Sequence, residues 1–358
     1  MQPGEAERQL GGQGPAADAA ARRPGERALI EHIRRRLPPP PSALVVGPGD
    51  DAAVFAPERG ALQVLTTDAV VEGIHFDLRF SSLSDIGYKA LAVNVSDIAA
   101  MGARPEFALV SLILPEAMTF QEVDALIGGV LEMADTAGVA IAGGNISRSP
   151  GPLVVDVTAT GSVRPRRVLT RSGGGPGDVL YVTGTLGAAA AGLGWLRAAT
   201  GPLAASAADP EKTSGMATCV QRHRRPEPRV RVGLLLGRNR AASACMDLSD
   251  GLADGVRQIA ESSGTGATIE ASALPIDPAA ADWFRAQGAD PVRAAVSGGD
   301  DYELLFAVSR KTRGRLRTVE RGARGLRLTP IGELTSEPGL RLRRGESFEE
   351  VPSGFTHF

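Results

Sequence analysis

The segment SDIGYKALAVNVSDIAAMGARPEFALVSLILP (Ser84 to Pro115) decides the fold class. Ser84 can cap a helix running to about Met101, because a serine hydroxyl accepts from the free backbone N–H groups of a first turn. Ile86, Ala90, Val93 and Ile98 recur near the helical period, and Gly102 supplies the stop. Phe107 to Leu114 then reads as an apolar strand ended by Pro115. Helix followed closely by strand is an α/β pattern, and the rest of the chain repeats the mixture.

Upstream, Gly25 to Leu37 reads as a short helix closed by the run Pro38 to Pro41, followed by β segments at Ala52 to Ala56 and Leu62 to Thr67. Downstream, Thr119 and Glu122 have capping-box spacing for a helix ending at Gly138. Strands follow at Val139 to Ala142 and Leu153 to Val163. Arg164 to Gly177 contains Pro165, three consecutive glycines and Pro176, and is read as a domain boundary. Residues 1–24 form a tail rich in Gly, Ala and Pro that is read as disordered, and the two domains are then 25–163 and 164–358.

The second half has a strand at Val179 to Thr183 and a helix from about Leu186. A polar insertion from Gly201 to Glu227, for which composition suggests no role, precedes a helix from Arg229. Strands are expected near Ala244, at Ala267 to Glu270, at Tyr302 to Val308 and at Leu326 to Ile331. The fold class is therefore α/β or α+β in two domains.

A chain of 358 residues suits about two domains. Its 39 basic and 41 acidic residues leave a net charge of -2, so there is no global basic field for nucleic acid or an anionic membrane. Aromatic residues at 4% also make a poor base-stacking platform. No apolar run reaches the roughly 18 residues of a membrane helix, and the N-terminus lacks the apolar core of a secretory signal. Cys219 and Cys245 are the only cysteines, which argues against a disulfide framework or a zinc site and fits a reducing cytoplasm.

The informative residues are aspartates. Asp50 and Asp51 follow Gly-Pro-Gly, and Asp68 follows Thr66 and Thr67. Asp97 shares a helix face with Asn94. Asp247 and Asp250 belong to DLSDG, and Asp300 and Asp301 follow Ser297-Gly298-Gly299. Any one of these could be a turn or cap residue. Doubled acids beside glycine, again and again, exceed what capping needs. Hard carboxylates with Ser and Thr oxygens suit Mg²⁺, which readily bridges phosphates. At about 4 Å, a bare pair of such acids repels by roughly 1–4 kcal/mol. The acids are accordingly expected to converge on one cleft between the halves, with divalent ions and a polyphosphate.

Other routes to phosphate are missing. There is no GxxxxGK[ST] loop, no DFG or HRD kinase pattern and no GxSxG elbow. Lys89, Lys212 and Lys311 are the only lysines. Phosphate would then fall to metals and glycine-rich backbone, with Lys89 or Arg171 in support. Lys89 itself reads more readily as a solvated helix residue.

These motifs together resemble the thiamine-monophosphate kinase family, within the superfamily that includes aminoimidazole ribonucleotide synthetase. The resemblance is carried by GPGDDAAVF (Gly47 to Phe55), TTDAVVEGIHF (Thr66 to Phe76), YKALAVNVSDIAAMGARP (Tyr88 to Pro105), AGGN (Ala142 to Asn145), LTRSG (Leu169 to Gly173), VTGTLG (Val182 to Gly187), MDLSDGL (Met246 to Leu252), SGGDDYELLF (Ser297 to Phe306) and GFTHF (Gly354 to Phe358). It implies ATP-dependent phosphorylation of thiamine monophosphate to thiamine diphosphate with several Mg²⁺ ions, by direct in-line transfer without a covalent nucleophile. It also implies a homodimer whose N-terminal halves share a barrel.

Carried over position by position, Asp51, Thr66, Thr67, Asp68, Asp97, Asp247 and Asp250 resemble metal ligands, with Asn145 at a further metal position where the family usually has Asp. Gly144, Arg171 and Ser249 resemble ATP contacts, and His75, Asp300 and Phe355 resemble contacts to the thiamine phosphate. Asp300 stands where Glu is common. The alternatives are another ATP-dependent enzyme of the superfamily, and a non-catalytic paralogue that binds nucleotide or thiamine phosphate, favoured only by Asn145.

Overall fold

The computed structural model describes residues 25–200 and 210–352. The proposed tail at 1–24 and Phe355, with its GFTHF ending, lie outside the described residues. Among the described residues no helix is long and apolar enough to cross a membrane.

In the first half, helix α1 (Glu26–Arg36) precedes a short pair, β1 (Leu44–Val46) and β2 (Val54–Phe55). Then come β3 (Leu62–Val71), α2 (Leu83–Ala100), β4 (Arg104–Pro115), α3 (Phe120–Ala137), β5 (Ala140–Ser149) and β6 (Val154–Val163). The sheet order is β3-β6-β4-β5, with β6 antiparallel to both neighbours and β4 parallel to β5.

Helix α2 starts two residues earlier than Ser84 suggests. The cap is Ser82, whose hydroxyl accepts from Asp85 N at 3.1 Å and donates to the Asp85 carboxylate at 2.8 Å. Asp85 sits three residues on and returns the bond, which Ser84 has no acid placed to do. The capping box at Thr119 and Glu122 forms as read, with Thr119 N donating to Glu122 at 2.7 Å. α2 is buried almost all round, as a helix apolar on every side must be. It lies tightly against α3: a Cβ at Gly87 or Gly129 would overlap a backbone carbonyl of the opposing helix.

The second half runs β7 (Val179–Thr183), α4 (Ala188–Thr200), α5 (Pro210–Arg224), α6 (Val230–Asn239), β8 (Ala244–Asp247), α7 (Leu252–Ser263) and β9 (Gly266–Glu270). It continues with α8 (Pro278–Ala286), α9 (Pro291–Ser297), β10 (Leu304–Val308), α10 (Arg313–Gly322), β11 (Leu328–Thr335), β12 (Leu340–Arg344) and β13 (Ser347–Glu350). Seven strands pair in the order β13-β12-β9-β11-β7-β10-β8. Both faces are covered, and the alternation is visible. Leu180, Val182, Leu305 and Met246 pack to one side, while Tyr181, Phe306 and Cys245 pack to the other.

Much of the stretch read as a polar insertion is helix α5. Its signal is a single stripe, Met216, Cys219, Val220 and His223, at helical spacing and buried.

The halves meet along α2, whose Ser96 donates to Asp247 at 2.6 Å and whose Lys89 donates to Asp300 at 2.8 Å. By contrast, the four-stranded sheet leaves one face open. Leu65 is 70% exposed there and Leu109 43%. That face, α1 and the 47–53 loop line a cleft of about 930 Å³.

Candidate active site

The site is built where the middle of β3 passes the last turn of α2 and the end of β8. Thr66 and Asp68 lie two apart on β3 and so point to the same side, toward α2. The Thr66 hydroxyl donates to the Asp97 carboxylate. Asp247 closes β8 and is 5% exposed, held by the Ser96 hydroxyl. Partial burial and the fields of Asp97, Asp156 and Asp250 raise the Asp68 carboxyl to about 6. Burial, then Asp97, raises Asp247 to about 7, and burial raises Asp97 as well. Arg171 works against the rise at both Asp97 and Asp247, and it is tied to α7 through Gln258 at 2.6 Å. Thr66, Asp68, Asp97, Asp247, Asp250 and Arg171 therefore form one electrostatic group.

Asp51, Thr67, Asn145 and Gly144 lie on the open side of the sheet, where they adjoin or line the cleft. Thr67 bonds Thr158 at 3.1 Å and Asp156 at 3.3 Å. The strand register sets Asn145, Ser111 and Asp156 in one row. The expected metal residues thus divide into two groups on opposite faces of β3, and Asp156, whose charge acts on Asp68, adjoins both. Asp156 escaped the sequence reading. Its signal was an outward-facing acid at period two with Thr158 and Thr160, within an otherwise apolar strand. Gly144 is required by packing, since a Cβ there would overlap the Val110 carbonyl.

Among the described residues no three His, Cys, Asp or Glu side chains are placed to hold a cation by themselves. The donor set nonetheless fits magnesium, which usually takes one or two carboxylates and completes its shell with water and phosphate oxygens. Acids held near one another with raised proton affinity are groups a divalent ion would stabilise.

The DLSDG loop lies backbone to backbone against SGGDD. Asp300 N donates to the Ser249 carbonyl at 2.7 Å, and Tyr302 N donates to Leu248 at 2.9 Å. A Cβ at Gly299 would come within 2.6 Å of the Ser249 carbonyl, so glycine is needed there. The first loop then opens α7, whose leading N–H groups suit an anionic group.

His75 accepts from Val71 N at 3.1 Å through Nδ1, and its carbonyl accepts from Lys89 at 3.2 Å. Lys89 is 3% exposed and bonded to Asp300, which corrects its reading as a solvated residue: α2 has no solvent face at that position.

The two halves match sequence models of AIR synthase related proteins: the N-terminal domain over residues 49–163 and the C-terminal domain over 175–345. The class is thus an AIR synthase related protein of mixed α/β architecture. The E. coli hydrogenase maturation protein HypE, 22% identical with a TM-score of 0.71, shares that fold.

Thiamine-monophosphate kinase of Bacillus subtilis is 39% identical over 329 residues, covering 88% of this chain and 94% of its own. That of Escherichia coli K12 is 37% identical over 337 residues, covering 93% and 98%. A solved structure of the kinase from Stenotrophomonas maltophilia superposes with a TM-score of 0.75 at 35% identity, covering 87% of this chain and 94% of its own. Another, AaThiL complexed with AMPPCP and TMP, gives 0.71 at 31% identity over 93% and 97%. The chain belongs to the thiamine-monophosphate kinase family.

Proposed function

We propose that this protein transfers the terminal phosphate of ATP to thiamine monophosphate, forming thiamine diphosphate. The observation that carries the reading is the group Asp68, Asp97, Asp247 and Asp250 gathered beside Arg171 at the junction of the halves. The solved structure of AaThiL complexed with AMPPCP and TMP supports the same pair of substrates.

The acceptor is a phosphate oxygen, already anionic near neutral pH, so no serine or cysteine nucleophile is needed. Transfer then demands alignment and charge neutralisation. Thr66 and Ser96 orient the Asp97 and Asp247 carboxylates by donating to them. Arg171 offers a cation to the nucleotide phosphates, and Gly144 and Ser249 offer close backbone and hydroxyl contacts. Magnesium, when bound, would offset the charge that develops during transfer. Its ligands would come from Asp51, Thr66, Thr67, Asp68, Asp97, Asn145, Asp247 and Asp250. His75, Asp300 and Phe355 would contact the acceptor.

In this reading 25–163 is the ATP, magnesium and dimerisation domain and 164–358 the second α/β domain. The open sheet face with Leu65 and Leu109 supports a homodimer, and the buried free thiols support a cytoplasmic protein. The test is formation of thiamine diphosphate from ATP and thiamine monophosphate. Transfer that requires the acceptor and stops in excess chelator is expected. ATP turnover indifferent to the acceptor, or undiminished by chelator, would overturn the reading.

A further inference from the structure

Asp300 has an unusual setting. Its φ of 68° lies in the left-handed region, which non-glycine residues seldom occupy. Its carboxylate receives Lys89 Nζ at 2.8 Å and has His223 Nδ1 at 3.3 Å. The Tyr302 hydroxyl also lies beside it. The Lys89 and His223 side chains are each only 4% exposed, whereas that of Asp300 is 29% exposed. A clamp serving stability alone would bury all three groups. Here the two supports are buried and the acid they hold reaches solvent. A carboxylate has about four acceptor positions, so Lys89 and His223 do not exhaust it.

His223 comes from α5, and its place is fixed by its neighbours. Arg224 donates to the Phe80 carbonyl, and Arg225 donates to Asp85 at 2.6 Å and Ser84 at 3.0 Å. The end of α5 is thereby anchored to the N-terminal half beside Lys89. His223 Nδ1 is buried and aimed at Asp300 without a well-aligned hydrogen bond.

We infer that Lys89 and His223 are positioning residues for substrate recognition: held from two elements, Asp300 presents a fixed carboxylate edge to the N–H donors of the acceptor's amine-bearing heteroaromatic ring. The inference rests on the reading above that Asp300 contacts the acceptor. It gives α5 a role in acceptor selection rather than in phosphoryl transfer.

Steady-state kinetics and thermal denaturation of the full chain, with His223→Ala and His223→Asn, test it. His223→Ala is expected to raise the KM for thiamine monophosphate about tenfold, and to leave kcat and the KM for ATP within about twofold. His223→Asn, which retains a donor near the Nδ1 position, is expected to recover most of the loss. Should His223→Ala fail to fold, Lys89→Arg carries the same expectation, because it keeps the charge and moves the donor. An unchanged acceptor KM, or both KM values rising together with a lower melting midpoint, would overturn the inference. So would failure of His223→Asn to rescue. Wild-type protein that forms no thiamine diphosphate would sink the underlying reading and this inference with it. An active wild type with indifferent variants would sink this inference alone.

Discussion

Two groups of acids at the junction make a useful contrast. In one, Asp68, Asp97, Asp247 and Asp250 gather with Arg171 acting on Asp97 and Asp247; burial raises the proton affinity of Asp68, Asp97 and Asp247, and neighbouring acids add to the rise at Asp68 and Asp247. In the other, two acids of GDDYE each meet a cation, while burial raises the carboxyl of Asp301 between them to about 8. Asp300 meets Lys89 and His223. Asp301 accepts from Gly187 N at 3.0 and 3.1 Å at the start of α4. Glu303, 2% exposed, receives the Arg229 guanidinium through two nitrogens and the Thr183 hydroxyl. The primary structure is alike in both, with acids beside glycine. What separates them is whether a cation arrives at contact distance: Lys89 and Arg229 reach Asp300 and Glu303, whereas Thr66 and Ser96 bring hydroxyls to Asp97 and Asp247. A charge matched by a cation is offset by the protein itself, and one that meets only hydroxyls is left for a ligand to offset.

The largest effect should come from breaking the matched group. Arg229→Ala leaves the Glu303 charge buried without its cation and is expected to cost about 3–5 kcal/mol of stability. Chemical denaturation reads this directly, and a midpoint equal to wild type would erase the contrast. Next, Asp247→Asn removes one of the repelling charges. It is expected to reduce phosphoryl transfer at least about a hundredfold, roughly 2.7 kcal/mol. The melting midpoint should stay equal or rise, and a clear fall would place Asp247 among the structural acids.

The smallest effect is in pH. The Lys89 ammonium and the His223 ring outweigh burial and hold Asp300 below the usual carboxylate range. Such a group contributes stability above its unfolded pKa near 3.8, and the contribution is lost as pH falls through the lower folded value. Asp300→Asn should therefore lose less stability than wild type between pH 5 and pH 2, both values approximate bounds of that window. Parallel curves for the two proteins would sink the assignment.

How much of this could be read from the chain depends on range. The period of α2, the Thr119 capping box and the glycine stops are local, and they stand where the residues place them. The choice of Ser82 over Ser84 turned on which serine had an acid three residues on. Lys89 looked solvated because a helix apolar on every side shows its neighbours only after folding. Asp156 and His223 are single polar residues in apolar stripes, and their partners lie far off in sequence. The gathering of Asp68, Asp97 and Asp247 was legible as a family resemblance, whereas its division from Asp51 and Asn145 across β3 needed the strand register.

Helix α2 carries Lys89, Ser96 and Asp97 on a single stiff rod that cannot slide past α3, given the glycine contacts at Gly87 and Gly129. Recombination between relatives is constrained by that geometry. A crossover near residue 164 inherits the rod from one parent and its rungs, Asp247 and Asp300, from the other. Chimeras should survive only when both parents space those rungs alike.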